Sequence, residues 1–185
     1  MRTHVALLRG INVGGTGKVP MAELRTQLTG AGFGDVGTYI QSGNVVLSSD
    51  DPDPAAVAAT IEALLRDQFA VPRPVVVFGR DEYLAAVADN PFPQVTEPKQ
   101  LHAVFRAGPP TGAELAALEA AVAAARAKGS RDEAAVVGRV VYLHLPAEMG
   151  RSELAARITP RTKAADGGGT ARNWATVRKL LDLLG

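Results

Sequence analysis

The same order of apolar runs occurs twice in this chain, at an offset of about 96 residues. Val5-Ala6-Leu7-Leu8-Arg9 falls on His102-Ala103-Val104-Phe105-Arg106. The amphipathic stretch with Met21, Leu24 and Leu28 falls on Leu115–Arg126. Gly43-Asn44-Val45-Val46 falls near Gly138-Arg139-Val140-Val141, and Asp53–Phe69 on the run opening at Ser152. A repeat of this length points to two related subdomains, the competing reading being chance, since hairpins and amphipathic helices recur widely. At 185 residues the chain is long enough for that without staples, because a chain of this size buries roughly 70% of its unfolded surface.

Within the first repeat, His4 to Arg9 reads as a strand. A helix opens near Pro20, where a missing N–H does no harm, and closes by Gly32. Val36–Ile40 and Asn44–Leu47 flank a Ser42-Gly43 turn, the mark of a hairpin. Asp53-Pro54 opens a second helix with Val57, Ile61, Leu64, Leu65 and Phe69 at helical spacing, and Pro74–Phe78 is a further β-branched strand. The order is βαββαβ, the ferredoxin-like pattern.

Asp81–Asp89 reads as a short helix, broken by Asn90-Pro91-Phe92-Pro93, and the boundary between halves is placed at about 91–99. The second half has a strand at Leu101–Arg106 and a Thr111-x-x-Glu114 capping box before an Ala-rich helix. A hairpin about Gly138-Arg139 and a short helix at Ser152–Ile158 follow. Ala164–Gly169 reads as a loop. Thr170 then caps a final helix with Trp174, Val177, Leu181 and Leu184 on one stripe. The expected fold is α+β: a duplicated ferredoxin-like architecture (βαββαβ, then βαββα) with a C-terminal helix, divided into subdomains 1–90 and 91–185.

Charge and composition narrow the function classes. Twenty Lys+Arg against 19 Asp+Glu leave a net charge of +1, so no global basic field draws in nucleic acid. The absence of cysteine excludes disulfides, thiolate nucleophiles and Cys-ligated zinc. Met1-Arg2-Thr3-His4 runs straight into a strand without a secretory core, and no apolar stretch is long enough to span a membrane. The expectation is a soluble cytoplasmic protein with no membrane partner.

The densest polar signal is Arg9-Gly10-Ile11-Asn12-Val13-Gly14-Gly15-Thr16-Gly17-Lys18-Val19-Pro20, a strand-to-helix connection. Backbone N–H groups beside a helix N-terminus favour anions, and Arg9 and Lys18 add charge. It is no Walker loop: Asn12 stands five residues before Gly17, and Val19 stands where Ser or Thr would hold magnesium. It is no dinucleotide fingerprint either. The competing reading is a loop whose glycines serve a sharp crossover. The second half has no counterpart, only Ala107-Gly108-Pro109-Pro110.

Gln41-Ser42-Gly43-Asn44 is a second candidate. Ser42 is a conceivable nucleophile, but the sequence places no base beside it. Whether this turn reaches the glycine loop depends on strand lengths. Arg172-Asn173-Trp174 is the third: Trp174 has core periodicity, while Arg172 and Asn173 fall in the expected first turn of the last helix, where an arginine opposes the dipole. His4, His102 and His144 lie singly in expected strands and read as structural. Tyr83, Tyr142 and Phe92 are too scattered for an RNA platform.

Leu7-Leu8-Arg9-Gly10-Ile11-Asn12-Val13-Gly14-Gly15, Lys18-x-Pro20-Met21 and Tyr39-Ile40-Gln41-Ser42-Gly43-Asn44-Val45-Val46 resemble the opening of a bacterial family catalogued as a domain of unknown function, number 1697. Gly150-Arg151-Ser152 and Thr170-Ala171-Arg172-Asn173-Trp174-x-Thr176-Val177 resemble its later motifs. The resemblance implies a compact α+β fold of two related subdomains and carries no activity. The residues themselves favour a binding module for a small phosphorylated or carboxylated ligand. The candidate ligand residues are Arg9, Asn12, Gly14, Gly15, Lys18, Ser42, Asn44, Arg172 and Asn173, with no cofactor and no metal called for. The alternatives are an enzyme acting on a small anionic substrate, a nucleic-acid-binding domain and a protein-interaction domain.

Overall fold

The computed structural model describes residues 1–15, 17–158 and 169–185. Strand β1 (His4–Leu8) is buried along its whole length and has a strand on each side. It pairs antiparallel with β3 (Asn44–Ser48) and with β4 (Val75–Gly79), and β3 pairs with β2 (Gly34–Tyr39). The sheet order is therefore β2-β3-β1-β4, the ferredoxin-like order. Alternation sends Ala6 and Leu8 of β1, Val45 and Leu47 of β3, and Val75 and Val77 of β4 to one face. Helices α1 (Met21–Gly30) and α2 (Pro54–Phe69) cover that face. They bring Met21, Leu24 and Leu28, and Val57, Ile61 and Leu65, into the same core. Asp53 caps α2 through an Oδ1 that accepts the Ala55 N–H at 2.9 Å. Helix α3 (Arg80–Ala88) follows β4, with its buried Tyr83 edge-on to Phe78.

The second repeat runs β5 (Leu101–Phe105), α4 (Gly112–Ala127), β6 (Glu133–Val137), β7 (Val140–His144), α5 (Glu153–Ile158) and β8 (Thr170–Asn173), then α6 (Trp174–Leu184). Its sheet order, β6-β7-β5-β8, repeats that of the first. Val141 and Leu143 of β7 pack with Ala125 of α4 and with Leu154 and Ala155 of α5. The expected capping box is present on α4: Thr111 Oγ1 accepts the Glu114 N–H at 3.2 Å, and Glu114 Oε2 accepts the Thr111 N–H at 2.8 Å. That backbone bond, with Arg106 Nη2 donating at 2.7 Å, holds the Glu114 carboxyl down at about 2.

The end of the chain corrects the expectation. Thr170–Asn173 is strand β8 and not the start of a helix, so the second repeat is a full βαββαβ. It pairs with β5, Ala103 opposite Arg172 and Phe105 opposite Thr170. A central strand needs partners for both rows of its backbone groups, and that non-local demand overrides the capping propensity of Thr170. The cap of α6 is Asn173, whose Oδ1 accepts the Thr176 N–H at 2.9 Å. With the helix starting later, its buried stripe is Trp174, Val177, Leu180 and Leu184, and Leu181 is only half-buried. The loop expected over Ala164–Gly169 lies outside the described residues, Gly169 excepted.

By contact the chain forms two units, Met1–Val87 with Arg178–Gly185, and Ala88–Val177. In the first, Arg2 Nη1 and Arg80 Nη1 donate to the Leu183 and Leu184 carbonyls at 2.6 and 2.7 Å, satisfying groups that the last turn of α6 leaves open. Among the described residues no helix is long and apolar enough to cross a membrane, and no group of His, Cys, Asp and Glu is arranged to hold a metal ion.

Two histidines lie buried in the central strands. His4 Nδ1 is 2.8 Å from Thr3 Oγ1, while His102 Nδ1 has no partner among the described residues. Burial is the leading cause that holds both below the ordinary imidazole value of 6.5. Below that value the unfolded chain takes up protons that the folded chain refuses, so stability must fall as pH falls. The melting temperature is expected to drop between about pH 7.5 and 5.5, above the range where most carboxylates titrate. Calorimetry across that window checks it, and an unchanged melting temperature would show that both imidazoles titrate as in the unfolded chain.

Candidate functional site

The loop leaving β1 and the turn joining β2 to β3 meet at one end of the first sheet. Because β1 and β3 are antiparallel with Leu7 opposite Asn44, the C-terminal end of β1 lies beside the start of β3. The Leu8 N–H donates to Gly43 O at 2.8 Å, and on the other side the Arg9 N–H donates to Pro74 O at 3.1 Å. The two five-residue strands are offset by only one residue in this register, so the turn and the glycine loop lie at the same end of the sheet. Three chain segments thus converge: the glycine loop, the hairpin turn and the entry to β4.

Asn12 ties them together. Its Nδ2 donates to Val19 O at 3.0 Å and to Gln41 O at 2.8 Å, and its Oδ1 accepts the Val19 N–H at 2.9 Å. Its own N–H donates to Gly17 O at 2.9 Å, closing the loop on itself. Asn12 holds φ 54°, a left-handed conformation that asparagine tolerates better than most side chains. Its amide therefore serves the loop's shape. Beyond it, Gly14 (φ 59°) and Gly15 (φ 77°) form an exposed tip, where the backbone angle and not crowding calls for glycine, since a Cβ at either would meet nothing within 4 Å. Gly43 (φ 75°) is the opposite case: a Cβ there would lie 2.7 Å from Leu8 Cβ and 2.8 Å from Ile11 Cδ1.

The other hairpin residues hold the turn. Asn44 is fully buried, and its Nδ2 donates to Tyr39 O at 3.1 Å and to Ser42 Oγ at 3.0 Å. Ser42 is half-buried beside it.

This end carries three cations and the half-buried Glu62, whose Oε1 accepts the Val75 N–H at 2.8 Å. Lys18 is exposed, and Arg9 is half-buried. Arg73, also half-buried, precedes the Pro74 carbonyl that binds the Arg9 N–H. No side chain of the three makes a hydrogen bond or ion pair among the described residues. Sequence reasoning missed Arg73, because only the pairing of β1 with β4 brings Val71-Pro72-Arg73-Pro74 to the loop, and no local motif marks it. Helix α1 opens at Met21 after an N-cap, Pro20, whose side chain offers no oxygen to the first-turn N–H groups, and Glu23 stands in that turn.

Arg172 and Asn173 belong to the second unit. Arg172 is buried on β8, with Nη1 donating to Thr170 Oγ1 at 2.6 Å and Ala171 O at 2.9 Å. The strand explains why it opposes no helix dipole. The Gly150-Arg151-Ser152 motif ends in a cap: Ser152 Oγ accepts the Ala155 N–H at 2.8 Å and donates to the buried Asp132 at 2.8 Å. The same unit carries an open groove of about 360 Å³ between α4 and β6, walled by Leu115, Leu118, Val122 and Val136, with Glu119 and Arg126 among its lining residues.

A family model described as a protein of unknown function, DUF1697, matches residues 1–142. That span takes in the glycine loop, the hairpin turn and Arg73. No curated protein matches the chain. Among solved structures, the conserved bacterial protein SP0830 from Streptococcus pneumoniae is similar at a TM-score of 0.71 and 20% identity, covering 100% of this chain and 99% of that one. At that identity the likeness speaks for the fold alone.

Proposed function

We propose, given that the chain belongs to the DUF1697 family of proteins of unknown function, that its first unit is a binding module for a small phosphorylated or carboxylated ligand. The observation that carries this reading is the set of three cations, Arg9, Lys18 and Arg73, none engaged by a carboxylate among the described residues, on segments that converge at the glycine loop. Cations without an ion-pair partner favour an anionic ligand, and the Glu62 carboxylate at this end is taken up by the Val75 N–H. The start of α1, without a side-chain cap, adds backbone donors that favour an anion. The Asn12 bonds fix the loop before any ligand arrives, which lowers the ordering cost of binding.

The test is a thermal-shift series at low salt with inorganic phosphate, sugar phosphates and short dicarboxylates. A ligand at about a hundred times its dissociation constant adds about 2.7 kcal/mol. For a chain of this length that raises the melting temperature by about 5–10 °C. Lys18→Ala and Arg73→Ala are each expected to weaken binding by about tenfold, the scale of one charge-assisted hydrogen bond. Phosphate also stabilises proteins by exclusion from their surface, so a shift that persists in both variants counts against the site.

A further inference from the structure

Two large apolar side chains stand in water at the same end of the first unit, Val13 at 62% exposure and Ile40 at 52%. They flank a single hydrogen bond. Asn12 Nδ2 donates to Gln41 O at 2.8 Å, so residues 13 and 40 each sit one position from it, on facing loops. Ile40 holds φ 50°. A β-branched residue in the left-handed region is a steric outlier, and asparagine or glycine would suit that backbone better. An isoleucine half in solvent recovers little of that through the core. Strain retained at an exposed position directs attention to what the side chain touches when the site is in use.

We propose that the ligand of the glycine loop is amphiphilic: an anionic group held by Arg9, Lys18 and Arg73, carrying an apolar body that lies against Val13 and Ile40. The inference rests on the anion-binding reading above and names the class of ligand. An alkyl or aryl phosphate or carboxylate has this chemistry, whether it is a soluble metabolite or the headgroup end of a lipid. The charges supply complementarity for the anion, and the two side chains give specificity that inorganic phosphate cannot use.

The experiment compares inorganic phosphate with hexyl phosphate by isothermal titration on the full chain. Hexyl phosphate is expected to bind at least about tenfold more tightly, since burying about two methylene groups accounts for that factor. Ile40→Asn combined with Val13→Ser is expected to leave phosphate affinity unchanged and to remove the hexyl advantage. Asparagine suits the backbone at position 40, and retained phosphate binding itself reports a folded site. Should the double variant fail to fold, Val13→Ser alone, at an exposed position, is expected to remove part of the advantage.

Equal affinities in the unmodified protein, or an advantage that survives in the variant, overturn the proposal and leave the anion site standing. Failure of both compounds to bind overturns the anion site itself. Vesicles of phosphatidylcholine containing phosphatidic acid separate the two sources. Co-sedimentation that is lost in the double variant assigns the chemistry to a lipid headgroup, and hexyl phosphate binding without co-sedimentation assigns it to a soluble ligand.

Discussion

Gly43→Ala is expected to lower the melting temperature by about 5–15 °C, a loss of about 2–5 kcal/mol in a chain of this length. Two effects add. At φ 75° an alanine enters the left-handed region, which costs about 1–2 kcal/mol. Its Cβ would also sit 2.7 Å from Leu8 Cβ and 2.8 Å from Ile11 Cδ1, and Leu8 is the buried last residue of the central strand β1. Relief requires the β2–β3 turn to move off β1, stretching the Leu8 N–H bond to Gly43 O, and overpacking of this kind costs about 1–3 kcal/mol. Gly15→Ala isolates the first effect, because at φ 77° its Cβ would meet nothing within 4 Å. Calorimetry on the two variants should show Gly43→Ala losing clearly more. Equal losses would mean that the hairpin turn is not packed against the loop, and the convergence of the site segments would fall with it.

That packing marks where reading the sequence stops. Elements set by local physics were legible: the 3.6-residue spacing of Val57, Ile61, Leu64 and Leu65, the Asp53 cap, the Thr111–Glu114 box and both hairpins. The repeat pointed to two related α+β subdomains. Strand β8 was not legible, because Thr-Ala-Arg-Asn has a helix-cap signature and only its pairing with β5 makes it a strand. The candidate site was half legible. Glycines and cations flag the loop, but the bonds of the Asn12 amide to Val19 and Gln41 are not encoded locally, and neither is the approach of Arg73. Both gaps have one cause. The positions are joined by antiparallel strand register, and no periodicity within one segment encodes which residues of another will stand opposite.

Asn12 is the position where fold and site are least separable, and its variants are expected to show it. Asn12→Ala removes the acceptor of the Val19 N–H and the donors to Val19 O and Gln41 O. Each such bond contributes about 0.5–1.5 kcal/mol net, and alanine at φ 54° adds strain, so the expected loss is about 2–4 kcal/mol. Asn12→Gly removes the strain while losing the same bonds, and should recover about 1 kcal/mol of that loss. Asn12→Asp keeps an acceptor for the Val19 N–H but turns a carboxylate toward two carbonyl oxygens, so at neutral pH it should fall below Asn12→Gly. Chemical denaturation gives the order: unmodified, then glycine, then alanine and aspartate. Phosphate affinity should drop in all three, although Asn12 is not assigned a contact with the ligand, because an untied Gly14-Gly15 tip must be ordered at the moment of binding. A glycine variant with full stability and full affinity would show that the glycines alone shape the loop, and the preformed anion site would lose its main support.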